Sequence, residues 1–181
     1  MHPIRLAGPQ DAGALLDLQS RLDAQSEFML FEPGEREQDP ARLRDRLLAQ
    51  GQSGSFDLVA EAGDAEAGHP ETGGGLAGWL AVDVLPARRA RRTGYLVLGV
   101  DAAAAGRGIG RSLLTAATDE AARRGLARLE LTVITGNLRA LGLYLRCGFE
   151  VEGLRRQALV RGTVVTDEYY MGKLLAADGP G

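Results

Sequence analysis

Lysine, cysteine and histidine are almost missing from this chain of 181 residues. The one cysteine, Cys147, excludes an internal disulfide and a cysteine-based metal cluster. The two histidines, His2 and His69, fall in a terminus and a polar Gly-rich stretch, which argues against a structural zinc site. Aromatics are 5% of the residues and the formal net charge is -3, so neither composition nor charge marks a nucleic-acid binder. The local exception, RRARR at Arg88–Arg92, is short and lacks interleaved aromatics, and it reads as a solvated hairpin tip. No apolar run approaches the roughly 18 residues of a membrane span. The opening MHPIRLAGPQDAG has no apolar core of signal-peptide type. The expectation is a soluble, cytoplasmic protein with no membrane or nucleic-acid partner and no metal.

What is present is enough apolar content, 45%, for one ordinary core. We expect a single domain over residues 1–175 and a flexible tail over 176–181. Ile4 and Leu6 alternate with polar neighbours as a short strand, and Leu15, Leu18 and Leu22 form one helical stripe. A second helix begins with Asp39 as N-cap and Pro40 in its first turn, carries Leu43 and Leu47 on one face, and has Gly51 as its stop. Between these helices SEFMLFEPGEREQDP is too rich in turn residues to be regular. Three strand candidates follow, FDLVAEA, LAGWLAVDVL and TGYLVLGV, joined by AGDAEAGHPETGGG and PARRARR, which suggests an antiparallel meander. The pattern then changes to a helix over 108–124, the strand RLELTVI, a helix over 137–146, and two strands around Arg161 and Gly162. The sum is an α+β fold: a mixed, mostly antiparallel sheet with one β-α-β unit embedded in it.

The stretch GVDAAAAGRGIGRSLL, residues 99–114, joins a strand to a helix through glycines and arginines. A GxxxxGK[ST] phosphate loop needs a lysine, and the only one, Lys173, is far along the chain. A GxGxxG dinucleotide fingerprint starting at Gly106 and Gly108 meets Arg111 at its third glycine and lacks the alternating β-α-β series. A third form, [Q/R]xxGx[G/A] at a helix start, fits Gly108 and Gly110. There bare amides and the helix dipole would hold a pyrophosphate, with Arg107 and Arg111 adding charge. An ordinary glycine-rich turn also fits that stretch taken alone. A second motif follows: residues 137–149 read NLRALGLYLRCGF, with Asn137 as a candidate N-cap. Ala140, Leu143, Tyr144 and Cys147 share one helix face.

With both motifs in place the chain resembles the GNAT superfamily of acetyl-CoA-dependent N-acetyltransferases, over nearly its whole length. Its end, EGLRRQALVRGTVVTDEYYMGKLL, is similar to the branch of spermidine, ribosomal-protein and amino-acid N-acetyltransferases. The resemblance implies a twisted sheet of about seven strands with about four helices, its central parallel strands splayed apart. It also implies acetyl-CoA as co-substrate and an amine acceptor, either a small molecule or a protein N-terminus. A homodimer is common in the superfamily. A coenzyme-binding sensor without turnover is the alternative.

Residue by residue, the resemblance puts the pantetheine arm against Leu98, Gly99 and Val100, with an amide at Leu98 or Val100 polarising the acetyl carbonyl. The pyrophosphate falls on the loop Gly106, Arg107, Gly108, Ile109, Gly110 and Arg111. Asn137 contacts the pantetheine, and Tyr144 faces the sulfur as the acid. Ala105 departs from the usual Gln or Arg. The strand position five residues before Asn137, often glutamate in relatives, is Thr132. Glu130, on the same strand face, and Glu32, in the acidic segment with Glu27 and Glu35, are the candidate bases. That segment mildly favours a cationic small amine. Cys147, with no histidine in the matching region, reads as a packing residue, so transfer is direct. Tyr169 or Glu168 borders the acceptor site or simply packs.

Overall fold

The computed structural model describes residues 2–63 and 75–175. The expected tail, His69 and most of the AGDAEAGHPETGGG join lie outside them. The described elements are β1 (Ile4–Leu6), α1 (Ala12–Gln25), α2 (Pro40–Ser53), β2 (Phe56–Glu61), β3 (Leu76–Val84), β4 (Thr93–Val100), α3 (Ile109–Arg123), β5 (Arg128–Ile134), α4 (Leu138–Arg146), β6 (Glu150–Arg161) and β7 (Val164–Leu174). They form one sheet in the order β1-β2-β3-β4-β5-β7-β6, antiparallel except for the β4–β5 pair. The β-α-β unit is therefore β4-α3-β5, and β2-β3-β4 is the expected antiparallel meander. That β7 inserts between β5 and β6 follows from pairing that no local pattern reveals.

The period of two along each strand sorts side chains to two faces. Leu80, Val82, Leu96, Leu129 and Leu131 meet Ile109, Leu113 and Tyr144 of α3 and α4 in one core. Val59, Trp79 and Ala81 meet Leu15, Leu18 and Leu22 of α1 and Leu43 and Leu47 of α2 in the other. Each helix stripe read in the sequence thus covers one side of the sheet.

Helix α2 begins as its sequence dictates. The Asp39 carboxylate accepts from the amides of Ala41 at 2.9 Å and Arg42 at 3.3 Å. Its stop is not Gly51. The helix runs through that residue to Ser53, and Gly54, at φ 82°, takes the left-handed cap. A glycine inside an exposed helix costs only about 1 kcal/mol, so Gly51 is tolerated while Gly54 supplies the turn.

Candidate active site

The sheet opens along its middle. Strands β4 and β5 pair only at Thr93–Arg128, Gly94–Leu129 and Tyr95–Glu130, although β4 continues to Val100 and β5 to Ile134. Beyond Tyr95 the two strands part. The direction of the freed amides follows from the other side of β4. The Asp101 amide donates to the Ala77 carbonyl at 2.9 Å, in continuation of the Gly78–Val100 register. Antiparallel partners alternate between hydrogen-bonded and non-bonded pairs, so the N–H and C=O of Gly99 turn to Trp79 of β3. Those of Leu98 and Val100 turn to the gap.

The glycine loop lies at the open end of that gap. Asp101 shapes its start by accepting from Ala103 N at 3.1 Å and from Arg21 Nε at 3.0 Å. Gly106 at φ 81° and Gly108 at φ 82° stand in the left-handed region, which side-chain-bearing residues disfavour. The Ser112 amide bonds back to Gly108 O at 3.0 Å. The amides of Ile109, Gly110 and Arg111 precede it and belong to the unpaired start of the helix. A Cβ on Gly110 would stand 3.0 Å from Leu143 Cδ2 and 3.8 Å from side chains of Leu98 and Val100. The bare residue is what lets α3 approach α4 and β4 this closely. Arg111 is exposed.

Helix α4 carries the second motif to the same place. Asn137 caps it, its Oδ1 accepting from Ala140 N at 3.1 Å, which leaves the amide nitrogen of its side chain for another acceptor. Tyr144 is 7% exposed and packs edge-on against Phe149, with ring centroids 5.9 Å apart. Burial, then the neighbouring Tyr95 and Cys147, push its phenol above the usual tyrosine range and hold it protonated. Among the described residues none hydrogen-bonds this hydroxyl, and no sealed side-chain oxygen among them lacks a partner, so the hydroxyl stays accessible. The carbonyl of Cys147 accepts from Lys173 Nζ at 2.9 Å at the end of α4.

The candidate bases sit apart from one another. Glu130 stands opposite Tyr95, where the strands are still paired, and accepts from Arg128 Nε at 3.0 Å. Arg128 also binds Glu152. Glu32 is on the surface, its side chain 55% exposed, joined to Arg161 at 3.1 Å. This pair ties the α1–α2 loop to the end of β6. Glu35 accepts from the Glu32 amide at 2.9 Å and Glu37 pairs with Arg42 at 2.7 Å, so much of the acidic segment is engaged locally. A cavity of about 540 Å³ lies under the same loop, lined by Phe31, Arg36, Trp79, Asp83 and Val97 among others. It meets β4 at Val97 and sits over β3 rather than over the gap.

One cluster at the gap joins residues from four strands. Glu168 of β7, 6% exposed, accepts from Thr132 Oγ1 at 3.1 Å and from Arg155 at 2.8 Å. Thr132 in turn meets the Tyr95 hydroxyl at 2.9 Å. Arg155 lies over the Tyr170 ring, 5.3 Å from its centroid. It also stands beside a bulge where Gln157 takes φ 52° and its amide donates to Asp167 at 2.7 Å. Of these residues the sequence flagged Glu168 and the position of Thr132. Tyr95 and Arg155 carried no signal, because only the strand order brings them in. Arg88–Arg92 forms the turn between β3 and β4, largely exposed, at the end of β4 remote from the gap.

A mixed sheet whose central parallel strands part beside a glycine-rich helix start is the architecture of a coenzyme-dependent acyltransferase. The chain belongs to the acetyltransferase (GNAT) family, whose model matches residues 22–149. It is similar to N-alpha-acetyltransferase RimI of Mycobacterium tuberculosis, 42% identical over 86 residues, which are 48% of this chain and 52% of that protein. The chain matches between 17% and 63% of the length of its curated relatives. Among solved structures, an acetyltransferase of the GNAT family from Streptococcus pneumoniae superposes with a TM-score of 0.86 at 26% identity, over 97% of this chain and 100% of that one. The yncA protein of Salmonella typhimurium, solved with its cofactor acetyl-CoA, gives 0.82 at 22% identity, over 100% of this chain and 98% of that one, a likeness of fold. Among the described residues no helix is long and apolar enough to cross a membrane, and no cluster of ligating side chains is placed to hold a metal.

Proposed function

We propose that the protein transfers an acetyl group from acetyl-CoA to a primary amine by direct attack. The observation that carries this reading is the gap itself: β4 and β5 part after Tyr95, and the amides of Leu98 and Val100 face the opening. The residues fit such a co-substrate. The start of α3 offers unpaired amides and the charge of Arg111 to a pyrophosphate, and Gly108, bare and at positive φ, leaves the backbone open to its approach. The Salmonella protein of the same fold was solved with acetyl-CoA.

Acetyl-CoA, when bound, supplies an activated thioester. The chain's residues do the rest. The amide of Leu98 or Val100 donates to the carbonyl oxygen as negative charge develops on it, a contribution of about 3 kcal/mol for one well-placed donor. The Tyr144 phenol, kept protonated by burial, gives its proton to the leaving sulfur. Asn137 caps α4 and so fixes Tyr144, and the cap leaves its side-chain amide nitrogen to donate to the pantetheine arm. The acceptor approaches from the α1–α2 face, bounded by the loop that Glu32 and Arg161 tie down. Names of relatives, an N-alpha-acetyltransferase and an L-amino acid N-acetyltransferase of Escherichia coli, support a free amino acid, a related small amine or a protein N-terminus as acceptor.

Thr132, at the strand position facing the gap, is not a carboxylate, and this favours a second reading: a module that binds acetyl-CoA without turnover. A thiol-release assay against polyamines, amino acids, aminoglycosides and N-terminal peptides separates the two. Turnover on one class supports transfer. Stabilisation by acetyl-CoA without turnover on any class supports the binding module.

A further inference from the structure

We propose that Tyr95, Thr132 and Glu168 form a proton path from the acceptor amine to a buried carboxylate, with Tyr95 as the group that touches the amine. The proposal rests on the acetyltransferase reading above.

The polarity of the chain follows from hydrogen-bond counting. An ionised carboxylate only accepts. Arg155 occupies Oε2 of Glu168 at 2.8 Å, and the Thr132 hydroxyl donates to Oε1 at 3.1 Å. Thr132 has a single proton and has spent it on Glu168. The 2.9 Å contact between Thr132 Oγ1 and the Tyr95 hydroxyl therefore has Tyr95 as its donor. The Tyr95 oxygen is left with lone pairs only, on a residue 37% exposed. The chain ends in an acceptor, and an amine N–H is what an acceptor binds.

Its place in the fold is the second observation. Tyr95 is the last residue of β4 paired with β5, and Thr132 is two residues beyond its partner Glu130 on the strand that has begun to diverge. The hydroxyl contact thus bridges the two strands where their backbones separate. Odd positions of β4 face α1, as Val97 does, so Tyr95 stands on the α1–α2 side from which the acceptor comes. Tyr144 approaches from the opposite core. Amine side and thiol side are thereby divided between two tyrosines. The charged and titratable groups about Glu168 are Arg155 of β6, which lies over Tyr170 of Glu168's own strand, and Tyr95 of β4 through Thr132.

In the step, the amine nitrogen bonds to the acetyl carbon and the carbon–sulfur bond breaks. Before that attack the acceptor's ammonium form gives one proton to the Tyr95 oxygen as the Tyr95 proton moves to Thr132 and the Thr132 proton to Glu168, which leaves the amine uncharged; the nitrogen's second proton leaves to solvent once the new bond has formed. The thiolate takes its proton from Tyr144, and both sites re-equilibrate with solvent after product leaves.

The test compares Tyr95→Phe, Thr132→Val, Thr132→Ser and Glu168→Gln with the wild type, on the amine that the wild type acetylates best. Tyr95→Phe removes a half-exposed hydroxyl and leaves the fold in place, so it keeps the test decisive if a buried variant unfolds. We expect kcat/KM to fall on the order of 10²-fold at neutral pH in Tyr95→Phe, Thr132→Val and Glu168→Gln. Thr132→Ser retains activity. The deficits narrow as pH rises toward the amine's own pKa, where the acceptor arrives uncharged; a purely structural defect is the same at every pH. Without any co-substrate, NMR of the wild type and Thr132→Ser shows a slowly exchanging Tyr95 hydroxyl proton that Thr132→Val lacks. An unchanged kcat/KM in Tyr95→Phe, a pH-independent deficit, or no such resonance in an active wild type overturns the path alone. A wild type that acetylates no amine in the panel overturns the path together with the acetyltransferase reading.

Discussion

Tyr144→Phe removes one oxygen from a residue 7% exposed and leaves the ring against Phe149 in place. Among the described residues none binds that hydroxyl, so its loss strands no partner. The folding free energy should change by no more than about 0.5 kcal/mol. On the proposed mechanism, catalysis is where the hydroxyl counts. Positioned proton donors contribute typically 10²- to 10⁴-fold, and the lower bound corresponds to about 2.7 kcal/mol of barrier at 1.36 kcal/mol per tenfold. Burial raises the phenol above its ordinary value, so a phenol held protonated across the neutral range is available throughout it. The assay is thiol release at saturating acetyl-CoA, with the rise in melting temperature on adding acetyl-CoA measured alongside. We expect kcat to drop about 10²-fold or more while the thermal shift persists. A variant with wild-type kcat refutes the assignment, and one that loses the thermal shift as well shows that the hydroxyl serves binding rather than proton transfer.

Other residues make different claims. Arg111→Ala should raise KM for acetyl-CoA about fivefold, the equivalent of roughly 1 kcal/mol for an exposed charge, with kcat nearly unchanged; the effect should shrink in high salt, as steady-state kinetics at two ionic strengths will show. Buried Asp57 accepts from Gln50 at 2.6 Å, Trp79 at 2.7 Å and Arg46 at 2.8 Å. Asp57→Ala leaves those donors and a cation without their partner, which should cost about 3–5 kcal/mol and lower the melting temperature by roughly 6–20 °C at 2–4 °C per kcal/mol. Arg5, by hydrogen bonds above all, holds the Asp11 carboxyl below the usual range against the opposing effect of burial. A lowered folded-state pKa contributes stability that is present above the unfolded value of about 3.9 and lost as pH falls through the folded value. Urea midpoints should therefore decline more steeply with acid in the wild type than in Asp11→Asn, which is already weaker at pH 7.

Much of this was legible in the residues because local chemistry decides it. Asp39 and Pro40 start α2, RLELTVI is β5 to the residue, and Gly108 opens α3. The gap was legible only through resemblance, since nothing in TGYLVLGV states where its partner strand departs. The exchange of Gly51 for Gly54 as the stop of α2 arises because a helix tolerates one glycine and is ended by the one that takes a positive φ. Partners across strands were beyond reach for a different reason. Glu168 meets Thr132 because β7 lies next to β5, and Arg155 meets Glu168 because β6 lies beyond β7. Sequence distance carries no information about that order. Glu130 and Glu32 stand out in the sequence only as carboxylates in suitable segments, and the structure engages them with Arg128 and Arg161.

A crystal structure with acetyl-CoA would show whether the co-substrate lies between the parted strands with its phosphates on the start of α3. The pyrophosphate should lie on the amides of residues 108–111, the acetyl oxygen within hydrogen-bond distance of the Leu98 or Val100 N–H, and the sulfur facing the Tyr144 hydroxyl. Acetyl-CoA bound outside the gap, or with its sulfur turned away from Tyr144, would contradict this placement.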